Sequence, residues 1–172
     1  MDFAGLGTWG NLASWEDTDG TRWVLAPAGG PKHPAFTFPI TNGDASHGSI
    51  VAFKVEEKAG KTVLTPGWMS RDLITPAPPV VANGVVFALS TGEFVRQSNE
   101  REGGLYQVEA RAAKSVPGVL YALDGRTGRE LWSSGNQIAT FGHNVGLAIA
   151  NGRIYFGTFD NVLYGFGFPM EH

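Results

Sequence analysis

At 172 residues the chain is long enough to bury a sizeable core within one domain. Its 24 glycines, 10 prolines and 12% aromatics suit many short strands and turns rather than helices, and a net charge of −3 with no dominant basic patch argues against nucleic acid as a partner. No apolar run approaches the ~20 residues that span a bilayer, no charged-then-apolar leader is visible, and with no cysteine the chain has no disulfide, thiolate metal site, haem attachment or Cys nucleophile.

In chain order, short apolar runs alternate with turn residues. Residues 12–15 lead through Glu16-Asp-Thr-Asp-Gly20 into 22–26, a first hairpin. Asp17-Thr-Asp-Gly20 looks like a fragment of a calcium loop, but the other ligands and the distal Glu are missing, so it reads as a turn. Residues 27–47 carry Gly29, Gly30, Pro31, Pro34 and Pro39 with Phe36 and Phe38 between prolines, the pattern of an extended, rigid insertion that docks its aromatics. Residues 49–54 then turn at Glu57-Lys-Ala-Gly60 into 61–68.

The pattern repeats. Residues 79–82 and 85–89 flank Asn83-Gly84, and residues 147–150 and 153–157 flank Asn151-Gly152; these two hairpins lie 68 residues apart. Asn-Gly between apolar runs is the strongest short-range hairpin signal, because both turn positions need positive φ. A second, more polar insertion covers 93–117 and suggests either a short helix near 107–113 or disorder. Residues 162–166 form a last apolar run, preceded by a turn at Asp160-Asn161.

The most informative stretch is 119–132. Two apolar runs are joined by Asp124-Gly-Arg-Thr-Gly128, in which Asp can bond its own downstream backbone and Gly128 can take the left-handed conformation of a bulged hairpin. The spacing Ala122-x-Asp124-x-x-Thr127-Gly128-x-x-x-Trp132 resembles the tryptophan-docking repeat of quinoprotein-type β-propellers, the pyrroloquinoline-quinone-like (PQQ-like) repeat family. The resemblance implies that Trp132 lies flat between two blades and that Asp124 and Thr127 tie the corner of an outer hairpin. Residues 49–68 are a degenerate copy: they keep Ala52, Gly60 and Trp68 but have Lys54 in place of the Asp.

The fold expected on this resemblance is all-β, a single partial propeller domain of four-stranded antiparallel blades. Counting strands gives four, four and three, with blades at about 8–70, 71–133 and 134–168 interrupted by the insertions 27–47 and 93–117. Propellers close with about four to eight blades, so the chain reads as the C-terminal portion of a larger propeller. Sheet faces and edges open at both ends predict self-association or pairing with missing blades; the alternative is that residues 2–8 fold back as an extra strand.

Fold alone does not give activity. The resemblance implies a binding or scaffold module, periplasmic or extracellular, with its ligand unassigned. An alternative is part of a PQQ- and calcium-dependent dehydrogenase of alcohols or sugars. No residue here matches that family's calcium ligands or Asp base, and its vicinal disulfide cannot form, so no catalytic or cofactor-binding residue is assigned. A second alternative is a carbohydrate-binding or lyase propeller, for which Trp9, His33, His47 and His143 are the residues to watch. His143-Asn144 precedes a predicted innermost strand and so can face a central channel, and His47 and Arg71-Asp72 lie where strands begin or end. Their spacing shows no metal-ligand pair. Loop histidines bonded to backbone, and a structural ion pair or turn contact at Arg71-Asp72, are the simpler readings.

Overall fold

The computed structural model describes residues 10–31, 37–95, 98–99 and 104–167. Fourteen described strands and one short helix follow the turn signals closely: β1 (Ala13–Glu16), β2 (Arg22–Gly29), β3 (Ile40–Thr41), β4 (Gly48–Lys58), β5 (Lys61–Met69), β6 (Val80–Ala82), β7 (Val85–Ser90), β8 (Ser98–Asn99), β9 (Gly104–Leu105), α1 (Val108–Lys114), β10 (Val119–Asp124), β11 (Glu130–Ser133), β12 (Ala148–Ala150), β13 (Arg153–Gly157) and β14 (Leu163–Gly167). The protein is mostly β, in several sheets of predominantly antiparallel strands.

Sheet one has the order β1-β2-β4-β5-β3, sheet two β11-β10-β7-β6 and sheet three β12-β13-β14, with β8-β9 a separate ribbon. The first sheet therefore has five strands rather than the four counted from sequence. β3 comes from the first insertion and pairs parallel to β5, Ile40 against Trp68. Two residues between prolines and turns carry no alternation to reveal such a strand. β2 also runs past Pro27, which the sequence places in the insertion. Ile50, opposite Pro27, donates its backbone N–H to Ser70 Oγ and accepts the Ser70 N–H at its C=O, both on its other side. Pro27 thus sits in a non-hydrogen-bonded pair, where its missing N–H costs the ladder nothing.

Side-chain alternation decides how the sheets stack. In β4, Ile50 and Ala52 face one cluster and Val51 and Phe53 another. In β7, Val86 and Ala88 pack toward sheet one, while Phe87 and Leu89 pack toward sheet three. Sheet two is thus buried on both faces, between Trp23, Leu25, Ile50, Ala52 and Trp68 on one side and Ile154, Phe156 and Ile138 on the other. The far face of sheet one is not bare. Phe38 and Ala45 of the first insertion cover Ala26, Ala28, Val51, Phe53 and Met69, with the Phe38 and Phe53 rings edge to face at 5.6 Å. The expectation of an open face at both ends is corrected at this end: the insertion seals much of it.

The same local geometry closes sheets one and two. Ala52 pairs with Trp68 and Ala122 with Trp132, and in each case the register slips by one residue directly afterwards, leaving Gly67 and Leu131 as the extra residue of a bulge. Two residues after each Trp, a serine continues the ladder through its side chain: Ile50 N–H donates to Ser70 Oγ at 2.9 Å and Leu120 N–H to Ser134 Oγ at 3.0 Å.

Between these two sheets sits the 124–128 corner. Asp124 Oδ1 accepts from the Thr127 N–H (2.9 Å), the Thr127 hydroxyl (2.8 Å) and the Arg126 N–H (3.1 Å), and Gly128 has φ +69°. The fully buried Trp68 indole donates to the Gly125 carbonyl at 2.9 Å and lies against Gly128, where a Cβ would collide with the ring. The Asn42 amide reaches the Thr127 carbonyl at 2.9 Å, and Arg126 forms a bidentate pair with buried Asp17. Trp132, expected to be sandwiched in the same way, is instead 42% exposed and meets Phe166 at 5.8 Å between ring centroids. The position matching Asp124 in sheet three is Gly167, the last described residue, so no described corner covers it.

Burial of one large aromatic against a glycine gives a direct test. Trp68→Ala should cost about 3–5 kcal/mol in denaturant unfolding. Gly128→Ala, which adds overpacking to a positive φ, should cost about 1–3 kcal/mol, whereas Gly60→Ala, with φ +73° but open space around it, should cost distinctly less. Equal losses for the two glycines would show that the Trp68 contact does not hold the sheets together.

Candidate functional site

In every sheet the antiparallel register puts the start of the first strand, the end of the second and the start of the third at one end. Both insertions join a second strand to a third, so both emerge at that end, and the links between sheets lie there too. Among the described residues the opposite end carries tight turns. His47, Arg71, Asp72, His143 and Asn144 all belong to the insertion-bearing end. Trp9 and His33 lie outside the described residues.

The sequence candidates fall into two separate groups. In the first, Asp72 organises the entry to β4. Its Oδ1 accepts the backbone N–H groups of Ser46 (2.8 Å), His47 (2.7 Å) and Gly48 (3.3 Å), while Oδ2 faces His47 Nδ1 at 2.6 Å. Burial pushes the Asp72 carboxyl up, but these hydrogen bonds outweigh it and hold it below the usual carboxylate range. Arg71 points elsewhere: it pairs with Glu130 and stacks on Tyr121, its guanidinium carbon 4.8 Å from the ring centroid. This group is a loop clamp in which Arg71 pairs with Glu130 rather than with Asp72, and the His47 ring meets a carboxylate rather than the backbone.

The second group is more than a clamp. Glu93, just beyond β7, has a side chain only 8% exposed. Its Oε1 receives His143 Nδ1 at 2.6 Å and Arg111 Nη2 at 3.1 Å. His143 Nε2 meets the Asn144 amide nitrogen at 3.1 Å. The ionised carboxylate only accepts, so Nδ1 is the donor in this contact. Arg111 comes from α1, whose polar insertion gives it no other buried anchor: none of the helix residues is buried. Lys114 adds a second hold, over the Phe94 and Tyr106 rings at 5.6 and 5.4 Å.

The backbone beneath Glu93 is strained and tightly held. Thr75 has φ +49°, unusual for a β-branched residue. Its hydroxyl donates to the Glu93 carbonyl at 2.9 Å, and its own carbonyl accepts from the Thr91 hydroxyl at 2.8 Å. Such a residue costs on the order of 1–3 kcal/mol and persists where surroundings over-determine it, commonly at ligand sites. Asn144, also at positive φ (+49°), lines the same space. Together these residues bound a cleft of about 540 Å³, with Pro76, Ala77, Pro78 and Val145 as its apolar side.

Glu93 and Arg111 were not singled out from sequence. Glu93 is 50 positions from His143 and 18 from Arg111, and no helical or strand period joins them. The only usable signal is Glu93's place at the end of a strand, where an insertion begins. Among the described residues there is no group of three or more His, Cys, Asp or Glu side chains that could hold a metal ion.

Replacing Glu93 by Gln removes the charge from a buried site that anchors α1. Amide exchange over 108–115 should quicken by an amount equal to about 1–3 kcal/mol of local stability, with the sheet amides unchanged. In acid, Asp17, held low chiefly by its hydrogen bond from Arg126, and Asp72 act alike. Each folded carboxyl lies below its unfolded value of about 3.9, so its stabilisation is complete above that pH and drains away as pH falls through the lower folded value. Asp17→Asn and Asp72→Asn should therefore each flatten the acid limb of a stability–pH curve below about pH 4; an unchanged limb would remove these pairs from the acid response.

No protein-family model matches the chain, and no curated protein matches it.

Proposed function

We propose that the chain is a portion of a β-propeller of the PQQ-like repeat type that works as a binding and scaffold module, with its ligand-facing surface at the insertion-bearing end. The observation that carries this reading is the repeated closure of sheets one and two: Ala paired with Trp, a one-residue bulge, then a ladder-extending Ser, at 52/68/70 and again at 122/132/134. The Trp68 indole set against a corner of the next sheet supports reading the sheets as successive blades. Rigid sheets that offer variable loops at one end suit a binding role, and an exported location belongs to the same proposal on the strength of the resemblance.

Self-association follows from the uneven ends. Sheet one is partly sealed by Phe38 and Ala45, whereas β14 has no further strand beside it among the described residues, and Leu163 on it is 73% exposed. Trp132 and Leu131 stand half exposed nearby. A strand edge with apolar neighbours invites pairing, so blades or a second copy add at sheet three. In a two-fold dimer this surface would meet itself.

Light scattering on the purified chain tests both parts, with and without added PQQ and calcium. A concentration-dependent dimer, unaffected by the additions and dispersed by Leu163→Lys, is the expected result. A monomer at every concentration would remove self-association. A quinone absorbance band with a raised melting temperature would sink the scaffold reading in favour of a quinone-dependent dehydrogenase.

A further inference from the structure

The Glu93 carboxylate and the Arg111 guanidinium offset each other in the cleft. They lie side by side, and the His143 ring meets the same Glu93 oxygen on one side and the Asn144 amide on the other. Arg111 already directs Nη2 to Glu93 and Nε to the Phe94 carbonyl (3.5 Å), so its fork is not open for bidentate capture of an anion. An anionic ligand would face the Glu93 carboxylate, and a cationic one the Arg111 guanidinium. Both would be brought into a partly desolvated site without a free counter-charge, at the cost that burial of charge carries.

A hydroxyl suits this wall because a single oxygen both donates and accepts. It can donate to the second Glu93 oxygen, which has no partner among the described residues, while accepting from Arg111. A neighbouring hydroxyl can use the second N–H and the oxygen of the Asn144 amide in the same two senses, with His143 Nε2 holding that amide in place. Across from these groups, Pro76, Ala77, Pro78 and Val145 give a surface for C–H groups, and no aromatic ring lines the cleft among the described residues. The volume of about 540 Å³ falls within the range of small-molecule sites.

We infer that this cleft binds a neutral polyhydroxy ligand, of the size of one or two sugar rings, through Glu93, Arg111 and Asn144, with His143 positioning Glu93 and Asn144. The inference rests on the reading of the chain as a binding module and adds the chemical class of what it binds.

The test is a nitrogen–proton NMR titration of the full chain, including the histidine side-chain nitrogens, with glucose, galactose, mannose, xylose, maltose and cellobiose to about 100 mM, since millimolar affinity corresponds to only about 4 kcal/mol. At least one of these should give saturable shifts confined to 91–95, 111 and 143–145. Glu93→Gln should weaken that binding at least tenfold. Asn144→Gly, which keeps the positive φ, should do the same without disturbing α1. The inference is overturned if none of the sugars gives saturable shifts, if the shifts map elsewhere, or if both variants bind as the parent does. Saturation by glucuronate or glucosamine alone would overturn the neutral class while leaving the binding-module reading intact. That reading fails separately, through quinone uptake in the scattering experiment.

Discussion

The contact between Trp68 and the 124–128 corner is the constraint on which the arrangement of sheets one and two depends. The indole is fully buried, its N–H is satisfied by the Gly125 carbonyl, and its ring needs Gly128 to have no side chain. The corner must therefore hold its shape, and Asp124 secures it with three short bonds. Sheet one then grips the corner at further points, through Asp17 to Arg126 and Asn42 to Thr127. Apolar burial supplies the attraction, but it has no direction of its own. The polar contacts around the indole fix where one sheet stops against the next.

That geometry explains the contrast between the two docking tryptophans. They share a pairing partner type, a bulge and a following serine, yet one is sealed and the other is half in solvent. What differs is the receiving side. Sheet two presents an Asp-Gly-x-Thr-Gly corner to Trp68, whereas sheet three has three strands and a glycine, Gly167, where the Asp would stand. The opposite end of the stack is treated differently again, since the first insertion folds Phe38 over the outer face of sheet one and adds β3 to its edge.

Stacking also creates the cleft. Glu93 leaves the end of β7, Arg111 rides on a helix with no buried residue, and His143 precedes β12. They meet because the second strand of sheet two and the first of sheet three share one end, and because Thr75 is held at positive φ beneath them. A buried carboxylate is tolerable there only because His143 and Arg111 both bond it. The other histidine–carboxylate pair, His47 with Asp72, spends its remaining bonds on the loop backbone and works as a clamp.

Most strand positions and the turns were legible in the sequence by itself, because they rest on local chemistry, whereas the second insertion reads equally as a short helix or as disorder. Asn83-Gly84 and Asn151-Gly152 dictate positive-φ turns, alternation marks the faces, and Asp124 and Gly128 mark a turn by their own chemistry, while the tie between Asp124 and Thr127 is implied by the resemblance. Non-local choices belonged to the tertiary structure. Which of two similar tryptophans is covered depends on what the next sheet presents, β3 exists only because β5 offers it an edge, and the far face of sheet one is closed by an insertion whose composition says no more than extended. The cleft was half visible, through His143 and Asn144. Glu93 and Arg111 were not, because a residue's ion-pair partners across 18 or 50 positions are set by how sheets stack and where a loop returns, and no local period encodes that.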